Sequence, residues 1–167
     1  MVIELAKLSD IKEIMVLISN VNKNLLSKGF TNWNKGYPNY EIIEKDILNR
    51  EQFILLKNYK IIGIYSSAKY NYDIFPELDF NDKSDNYAMV HRLAVSPDEQ
   101  GKGYAKLMMS HAEDKYIEKG FTSIRLGVHS ANTKLVKFYR DLDYKVRGEA
   151  HFEVDEAPFF IMEKIIS

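Results

Sequence analysis

A strand that runs into a glycine-rich turn and then into an amphipathic helix constrains this chain more than any other feature. Residues 95–105 have the sequence VSPDEQGKGYA. Glycine lets a backbone turn sharply and approach a ligand without an intervening Cβ. N–H groups at a helix start have no intrahelical partner and lie at the positive end of the helix dipole. The segment therefore predicts a phosphate or pyrophosphate site, although a turn that needs glycine only for its geometry explains the same residues.

Two common nucleotide motifs do not fit this turn. A phosphate-binding loop of the Gly-x4-Gly-Lys-Ser/Thr type needs a hydroxyl residue after its lysine, and here Gly103 follows Lys102. A dinucleotide fingerprint needs a third glycine where this chain has Lys106. The anion at this turn is therefore expected to belong to another kind of ligand.

Composition excludes several classes of protein. The chain has 167 residues, 23 basic and 24 acidic side chains, a net charge of −1 and no cysteine. Nearly balanced charge predicts no bulk attraction to nucleic acid or to an anionic membrane. The lack of cysteine excludes a disulfide framework, a thiolate zinc site and a cysteine nucleophile, and no metal site is predicted. Without a signal peptide or an apolar run of roughly 18 residues, we expect a cytoplasmic protein.

Hydrophobic periodicity and turn residues predict a mixed α/β sheet in a single domain that covers residues 1–167. Helices are predicted from Ser9 to Gly29 and over 40–48, 103–119 and 132–142. Strands are predicted over 2–7, 53–56, 61–68, 87–95, 123–128, 144–147 and 159–165. Residues 72–86, which carry five acidic side chains, are predicted to form a solvated loop.

Three segments together resemble the GNAT superfamily of N-acetyltransferases. Gln100, Gly103 and Ala105 fill the fixed positions of the acyl-CoA signature Gln/Arg-x-x-Gly-x-Gly/Ala, and HRLAVSP at 91–97 resembles the strand and turn before it. Asn132 with Phe138-Tyr139 resembles the helix that flanks the cofactor thiol. The resemblance extends from about residue 2 to 165. It implies a mostly antiparallel central sheet flanked by helices, and acetyl-CoA as the acyl donor.

The resemblance also implies how the cofactor binds. The backbone of Leu93 and Val95 would pair with the pantetheine arm, Asn132 would bond the pantetheine, and Tyr139 would lie near the sulfur. The pyrophosphate would be held by the N–H groups of Gln100, Gly101, Lys102, Gly103, Tyr104 and Ala105.

Direct transfer to an amine needs a group that protonates the departing thiolate and one that accepts the amine proton. Tyr139 is the predicted general acid, because a phenol with an ordinary pKa near 10 is protonated at neutral pH. A core tyrosine is the alternative. His91 is the nearest candidate base, but it shares a strand face with apolar residues, so a packed core histidine or a water chain are alternatives. Gly127 stands where relatives that act on protein N-termini carry a carboxylate, which disfavours such a substrate.

Aromatic residues predict the acceptor site. Trp33 and Tyr37 lie in the region that sets acceptor specificity in the family, and Tyr65 is predicted to face the same cleft. An aromatic lining suits a small apolar or cationic amine, whereas a loop pinned by aromatic side chains explains the same residues.

The sequence leaves three functions open: an N-acetyltransferase of a small amine, a non-catalytic acyl-CoA sensor on the same fold, and an interaction protein whose glycine turn is only a turn. An exposed strand edge would allow a homodimer.

Overall fold

The computed structural model describes residues 1–33, 36–69, 72–152 and 157–167. The chain forms two compact units, Met1–Ala68 with Val90–Ala112 and Lys69–Met89 with Glu113–Ser167. Each unit contains one four-stranded sheet. The predicted mixed α/β fold is confirmed. Within the described ranges, no helix has both the length and the apolar composition needed to cross a bilayer.

Eight strands and four α-helices are present within the described residues. The strands are β1 (Val2–Leu5), β2 (Gln52–Lys57), β3 (Lys60–Ser66), β4 (Tyr87–Met89), β5 (His91–Val95), β6 (Ser123–His129), β7 (Lys145–Ala150) and β8 (Phe159–Ile165). The helices are α1 (Ile11–Ser27), α2 (Tyr40–Leu48), α3 (Tyr104–Glu118) and α4 (Thr133–Asp141).

The first unit has the strand order β1-β2-β3-β5, and all of its strand pairs are antiparallel. Helix α1 buries a stripe at helical spacing, formed by Ile11, Ile14, Leu17, Ile18 and Val21. This stripe joins a core cluster that includes Ile43 and Ile47 of α2 and Ile54 and Ile64 of the sheet. The amphipathic pattern therefore places α1 and α2 against the sheet that ends in β5.

Helix α3 approaches strand β3 closely because β3 carries a glycine at that point. A Cβ at Gly63 would lie 2.7 Å from the Met108 sulfur and 3.2 Å from the Ala94 carbonyl oxygen. Met108 itself is fully buried. This packing fixes where α3 begins relative to β5, and so positions the glycine turn between them.

The second unit has the strand order β4-β6-β8-β7, in which only the β4–β6 pair is parallel. Strand β4 pairs with the first three residues of β6, Ser123 to Arg125. The prediction of one continuous strand over 87–95 was wrong. Arg92 adopts a left-handed conformation with φ 53°, and β4 and β5 belong to different sheets.

The predicted loop over 72–86 is fastened to the second sheet. The buried Glu163 carboxylate accepts the N–H groups of Asn81 and Asp82 at 2.8 and 3.2 Å. The Arg125 guanidinium carbon lies 3.6 Å from the Phe80 ring centroid and 3.9 Å from that of Tyr87. Buried hydrogen bonds and cation–π contacts thus hold a segment that its polar composition alone would leave in solvent.

Asp82 is expected to make the fold acid-sensitive. Burial raises the pKa of this carboxyl, but hydrogen bonds from the hydroxyls of Ser123, Ser84 and Thr122 outweigh that effect and hold the pKa well below its usual range. A lowered folded-state pKa stabilises the fold above the unfolded value near 3.9, and that stability is lost as the pH falls further. Asp82→Asn should lower the melting temperature at pH 7 by about 4–8 °C, the equivalent of about 2 kcal/mol.

The pH dependence provides the check. Circular dichroism melts between about pH 7 and pH 2 should give a shallower acid decline for Asp82→Asn than for the wild type. Parallel declines in the two proteins would show that Asp82 contributes no pH-dependent stability.

Candidate functional site

Strand β5 leaves one of its edges open. The cross-strand partners are Ile64 with Ala94 and Gly63 with Val95, and the Ser96 N–H donates to the Ile62 carbonyl at 2.8 Å. Hydrogen-bonding residues alternate along an antiparallel strand, so Ala94 bonds toward β3, and the N–H and C=O groups of Leu93 and Val95 point away from it. Among the described residues no strand pairs with that side. The backbone of Leu93 and Val95 therefore faces an edge that can accept an extended ligand.

Gln100 closes the end of this edge. Its side-chain amide donates to the Val95 carbonyl at 3.1 Å. One of the outward backbone acceptors is therefore already bonded, while the N–H groups of Leu93 and Val95 remain directed outward. Sequence reasoning assigned to Gln100 only a backbone role, and the structure adds this side-chain bond.

The glycine turn brings backbone N–H groups together at the start of α3. Gly101 and Gly103 have φ 77° and 82°, and a Cβ built on either glycine meets no atom within 4 Å. Glycine is therefore required here by backbone conformation and not by packing. The first bond of the helix runs from the Leu107 N–H to the Gly103 carbonyl at 3.0 Å, so the N–H groups of Tyr104, Ala105 and Lys106 precede the helical ladder. These N–H groups, with the positive end of the helix dipole, could bind an anion in the open space in front of the turn.

Lysine side chains at this turn share one carboxylate. The Lys102 ammonium lies 3.0 Å from Glu99 and 2.9 Å from the Asp98 carbonyl oxygen, and the Lys57 ammonium also lies 3.0 Å from Glu99. Hydrogen bonds from Lys57 and then Lys102 lower the pKa of Glu99. Lys102, predicted as a phosphate-binding backbone position, thus has its side chain paired with a carboxylate.

In the second unit, α4 and its N-cap hold Asn132, predicted to bond the pantetheine, and Tyr139, predicted to lie near the sulfur. Asn132 is the N-cap of α4, and its Oδ1 accepts the Leu135 N–H at 3.1 Å. Its side-chain NH2 group makes no hydrogen bond within the described residues, so this donor is available to a ligand. The cap also fixes the direction of the side chain.

Tyr139 is a buried phenol without a hydrogen-bond partner among the described residues. Its side chain is 6% exposed and packs edge-on against the rings of Phe138 and Tyr144, at centroid distances of 5.0 and 5.7 Å. Burial raises the pKa of Tyr139 well above its ordinary value. A protonated hydroxyl with unused donor capacity suits a general acid.

His91 lies at the start of β5, opposite Ser66. Burial, and secondarily the positive charge of Arg92, lower the pKa of His91 to about 3. An imidazole with this pKa is neutral at physiological pH but binds a proton weakly, which argues against the predicted general-base role.

The structure corrects the predicted position of Tyr65. Its side chain is 1% exposed, stacks on Phe53 at 4.8 Å, and its hydroxyl lies 2.9 Å from Nδ1 of His111 on α3. Tyr65 is therefore a core residue under α3 and does not line an open cleft. A strand that is buried on both faces gives no sequence signal for which face an aromatic residue occupies.

The other two predicted acceptor residues lie before α2. Trp33 is 8% exposed and belongs to the core cluster of α1 and α2. Tyr37 is half-buried against that cluster, and its hydroxyl accepts a hydrogen bond from Arg92 at 3.2 Å. Trp33 thus packs in the core and anchors the chain before α2, while the Tyr37 side chain remains partly accessible.

Arg92 of β5 takes part in a buried charge network that the sequence did not predict. Arg92 forms an ion pair with Asp46 of α2 and donates to the Ser66 hydroxyl at 3.0 Å. The side chains of Arg92 and Asp46 are each 2% exposed. The guanidinium therefore joins β5, α2, β3 and the segment that contains Tyr37.

Comparison with known proteins identifies acetyltransferases. The model of the acetyltransferase (GNAT) family matches residues 20–144. A Yersinia pestis acetyltransferase is 33% identical and one from Sodalis glossinidius 34% identical, each over 58 residues or 35% of this chain. The aligned segment spans 41% of the length of each relative.

Solved structures share the fold over nearly the whole chain. A GNAT-family acetyltransferase from Streptococcus agalactiae has a TM-score of 0.81 and 23% identity, covering 98% of this chain and 94% of its own. The PaiA N-acetyltransferase of Thermoplasma acidophilum, in complex with coenzyme A, has a TM-score of 0.72 and 20% identity, covering 98% of each chain. The ribosomal-protein-S18-alanine N-acetyltransferase of Escherichia coli has a TM-score of 0.73 and 16% identity, covering 99% of this chain and 94% of its own.

Proposed function

Because this chain belongs to the GNAT family of acetyltransferases, we propose that it transfers an acetyl group from acetyl-CoA to the primary amine of a small molecule. The observation that carries the proposal is the open edge of β5, which continues directly into the glycine turn at the start of α3. An extended pantetheine arm needs backbone donors along a free strand edge, and a pyrophosphate needs N–H groups at a helix start.

The residues present fit such a ligand. Leu93 and Val95 offer outward N–H groups, and Gly101 and Gly103 leave the space in front of the turn free of side chains. The amide of Asn132 and the hydroxyl of Tyr139 have donor capacity that no described residue uses. We assign Leu93 and Val95 to the pantetheine, residues 100–105 to the pyrophosphate and Asn132 to the pantetheine amide.

Bound acetyl-CoA supplies a thioester whose acyl carbon accepts the attacking amine. The protein holds the amine and the thioester in line, which is the largest contribution that such a site makes. As the new C–N bond forms and the C–S bond breaks, Tyr139 donates its proton to the departing sulfur. The proton that the amine loses passes to water and restores the phenol through solvent. The net reaction gives an acetamide and free CoA thiol.

Water, and not His91, is proposed to accept the amine proton. A base is most effective when its pKa lies near the working pH, and the pKa of about 3 for His91 is far below it. The amine is then captured in its neutral form. His91 remains a neutral imidazole that packs at the start of β5.

The pH dependence of kcat/KM should therefore follow the amine. Between about pH 5 and 9 His91 does not change its charge, so the acid limb reports the protonation of the free amine. Across a series of amines with different pKa values, the apparent pKa of this limb is expected to move with the amine. A limb that stays near 6.5 for every amine would instead identify a titrating histidine as the base.

A small acceptor is supported by two features of the chain. Tyr37 presents a half-buried ring that can pack against an apolar or cationic body. Gly127, on β6, lacks the carboxylate that the family resemblance associates with protein N-terminal substrates, although a Cβ there would meet Ile161 only at an ordinary 3.7 Å. A Cβ would therefore fit at this position, and the chain supplies no carboxylate there.

Release of free CoA thiol from acetyl-CoA, measured over a panel of amines, tests the proposal. The panel should include arylalkylamines, aliphatic diamines and short peptides with free N-termini. We expect turnover with at least one small amine and none with the peptides. Turnover with peptides alone would contradict the proposed substrate class, and acetyl-CoA binding without turnover would favour an acyl-CoA sensor.

A further inference from the structure

Arg92 combines two unfavourable features at one position. Its φ of 53° is left-handed, a conformation that is unfavourable for a residue with a side chain. Its guanidinium and the Asp46 carboxylate are buried as an ion pair, with each side chain 2% exposed. Because desolvation offsets the attraction, a buried pair of this kind adds little stability over an apolar pair of the same volume. Backbone strain of this sort concentrates at functional sites.

The strain lies at a β-bulge in the strand that we assign to the pantetheine. Ile64 pairs with Ala94, and Ser66 pairs with His91. One residue of β3, Tyr65, therefore stands opposite two residues of β5, Arg92 and Leu93. A bulge of this type redirects the next backbone and side-chain groups of its strand. Here the redirected peptide group is that of Leu93.

The side chain of Arg92 holds this bulge in register. Its Nη2 contacts Asp46 and the Ser66 hydroxyl, and its Nη1 donates to the Tyr37 hydroxyl at 3.2 Å. A slip of β5 by one residue would withdraw the guanidinium from all three partners and leave a buried carboxylate unpaired. Leaving one member of a buried pair uncompensated is costly, so the network opposes the slip.

We infer that Arg92 is a positioning residue for acetyl transfer: its contacts with Asp46 and Ser66 lock the bulge that sets the direction of the Leu93 N–H on the edge assigned to the pantetheine, and so the position of the thioester at the end of that arm. Its contact with Tyr37 ties the acceptor-binding segment to the same strand. The inference rests on the proposed function. Arg92 does not touch the substrate and acts through Leu93 and Tyr37.

The experiment compares Arg92→Met, Arg92→Lys and Asp46→Asn with the wild type. Each variant is characterised by its melting temperature, its Kd for acetyl-CoA, its kcat, and the carbonyl stretching frequency of bound acetyl-CoA labelled with 13C at the carbonyl. We expect Arg92→Met and Asp46→Asn to lower kcat by about 10–100-fold, because a displacement on the order of 1 Å has an effect of this size. Their carbonyl bands should move toward that of free acetyl-CoA, while Kd changes by less than about threefold. Arg92→Lys keeps the positive charge but loses the planar guanidinium that bonds several partners at once, so its kcat should lie between those of the other two variants and the wild type.

Arg147→Met is the matched control. Arg147 is also a largely buried arginine, 16% exposed, and its Nε lies 2.8 Å from the fully buried Glu163, but it belongs to the second unit and has no assigned part in the reaction. This variant should lower the melting temperature without moving the carbonyl band or kcat.

Unchanged kcat and an unchanged band in folded Arg92→Met would overturn the inference, as would equal effects in Arg147→Met. If Arg92→Met does not fold, the same criteria apply to Arg92→Lys and Asp46→Asn. Wild-type protein that does not bind acetyl-CoA would refute the proposed function, and the inference with it. Normal wild-type turnover with unaffected variants would refute the inference alone.

Discussion

Replacing Tyr139 with phenylalanine is expected to lower kcat by about 100-fold or more, while the fold and the affinity for acetyl-CoA are retained. The substitution removes only the hydroxyl, and that hydroxyl makes no hydrogen bond within the described residues, so no contact with them is lost. The ring continues to pack edge-on against Phe138 and Tyr144. Loss of rate without loss of binding is the signature of a group that acts in the transition state.

The raised pKa of Tyr139 adds a second expectation. Burial keeps the phenol protonated throughout the physiological range, so no loss of activity from its ionisation should occur below about pH 10. A descending limb at lower pH that is absent in Tyr139→Phe would show that the phenol ionises more easily than its burial allows.

Tyr116→Phe is the control for this substitution. Tyr116 is another buried tyrosine of the second unit, and its hydroxyl donates to the Met89 carbonyl at 2.7 Å. Removing that bond should lower stability by about 1 kcal/mol and leave kcat unchanged. Comparable kcat in Tyr139→Phe and the wild type would remove Tyr139 from the mechanism.

Gly103→Val is the second change with a large expected effect. At φ 82° a β-branched residue is strained, and its side chain would extend into the open space in front of the turn. If a pyrophosphate occupies that space, the Kd for acetyl-CoA should rise by about 100-fold, the equivalent of one or two charge-assisted hydrogen bonds. Isothermal titration calorimetry gives this value directly.

Gly120→Val separates ligand exclusion from backbone strain. Gly120 follows the other end of α3 and has φ 79°, and a Cβ added there would also meet no atom within 4 Å. Both variants should lose similar stability, about 1–2 kcal/mol, but only Gly103→Val should lose affinity. Equal affinities would place the ligand elsewhere.

The local features of the site were predictable because neighbouring residues determine them. The glycine turn, the start of α3 close to Gly103 and the helix that follows Asn132 all depend on short-range geometry. The spacing of apolar residues in α1 likewise predicted the helix and the face that it buries. These patterns repeat within a few residues, so sequence periodicity records them.

Features that depend on distant partners were not predictable. Arg92 occurs in a run that has a strand pattern, and its left-handed conformation accompanies contacts with Asp46 and Ser66, which lie 46 and 26 residues away along the chain. Tyr65 and Trp33 were assigned to a cleft because aromatic residues suit both cores and binding sites. Tertiary packing, which the residue pattern does not encode, buried both of them.

The melting temperature with and without acetyl-CoA tests most directly whether this chain holds an acyl-CoA at the β5 edge and glycine turn. At about 100 times the Kd, binding adds about 2.7 kcal/mol to stability, which should raise the midpoint by roughly 5–10 °C. We predict this rise for the wild type and for Gly120→Val, and its loss in Gly103→Val at the same ligand concentration. No rise in the wild type at millimolar acetyl-CoA would contradict the account.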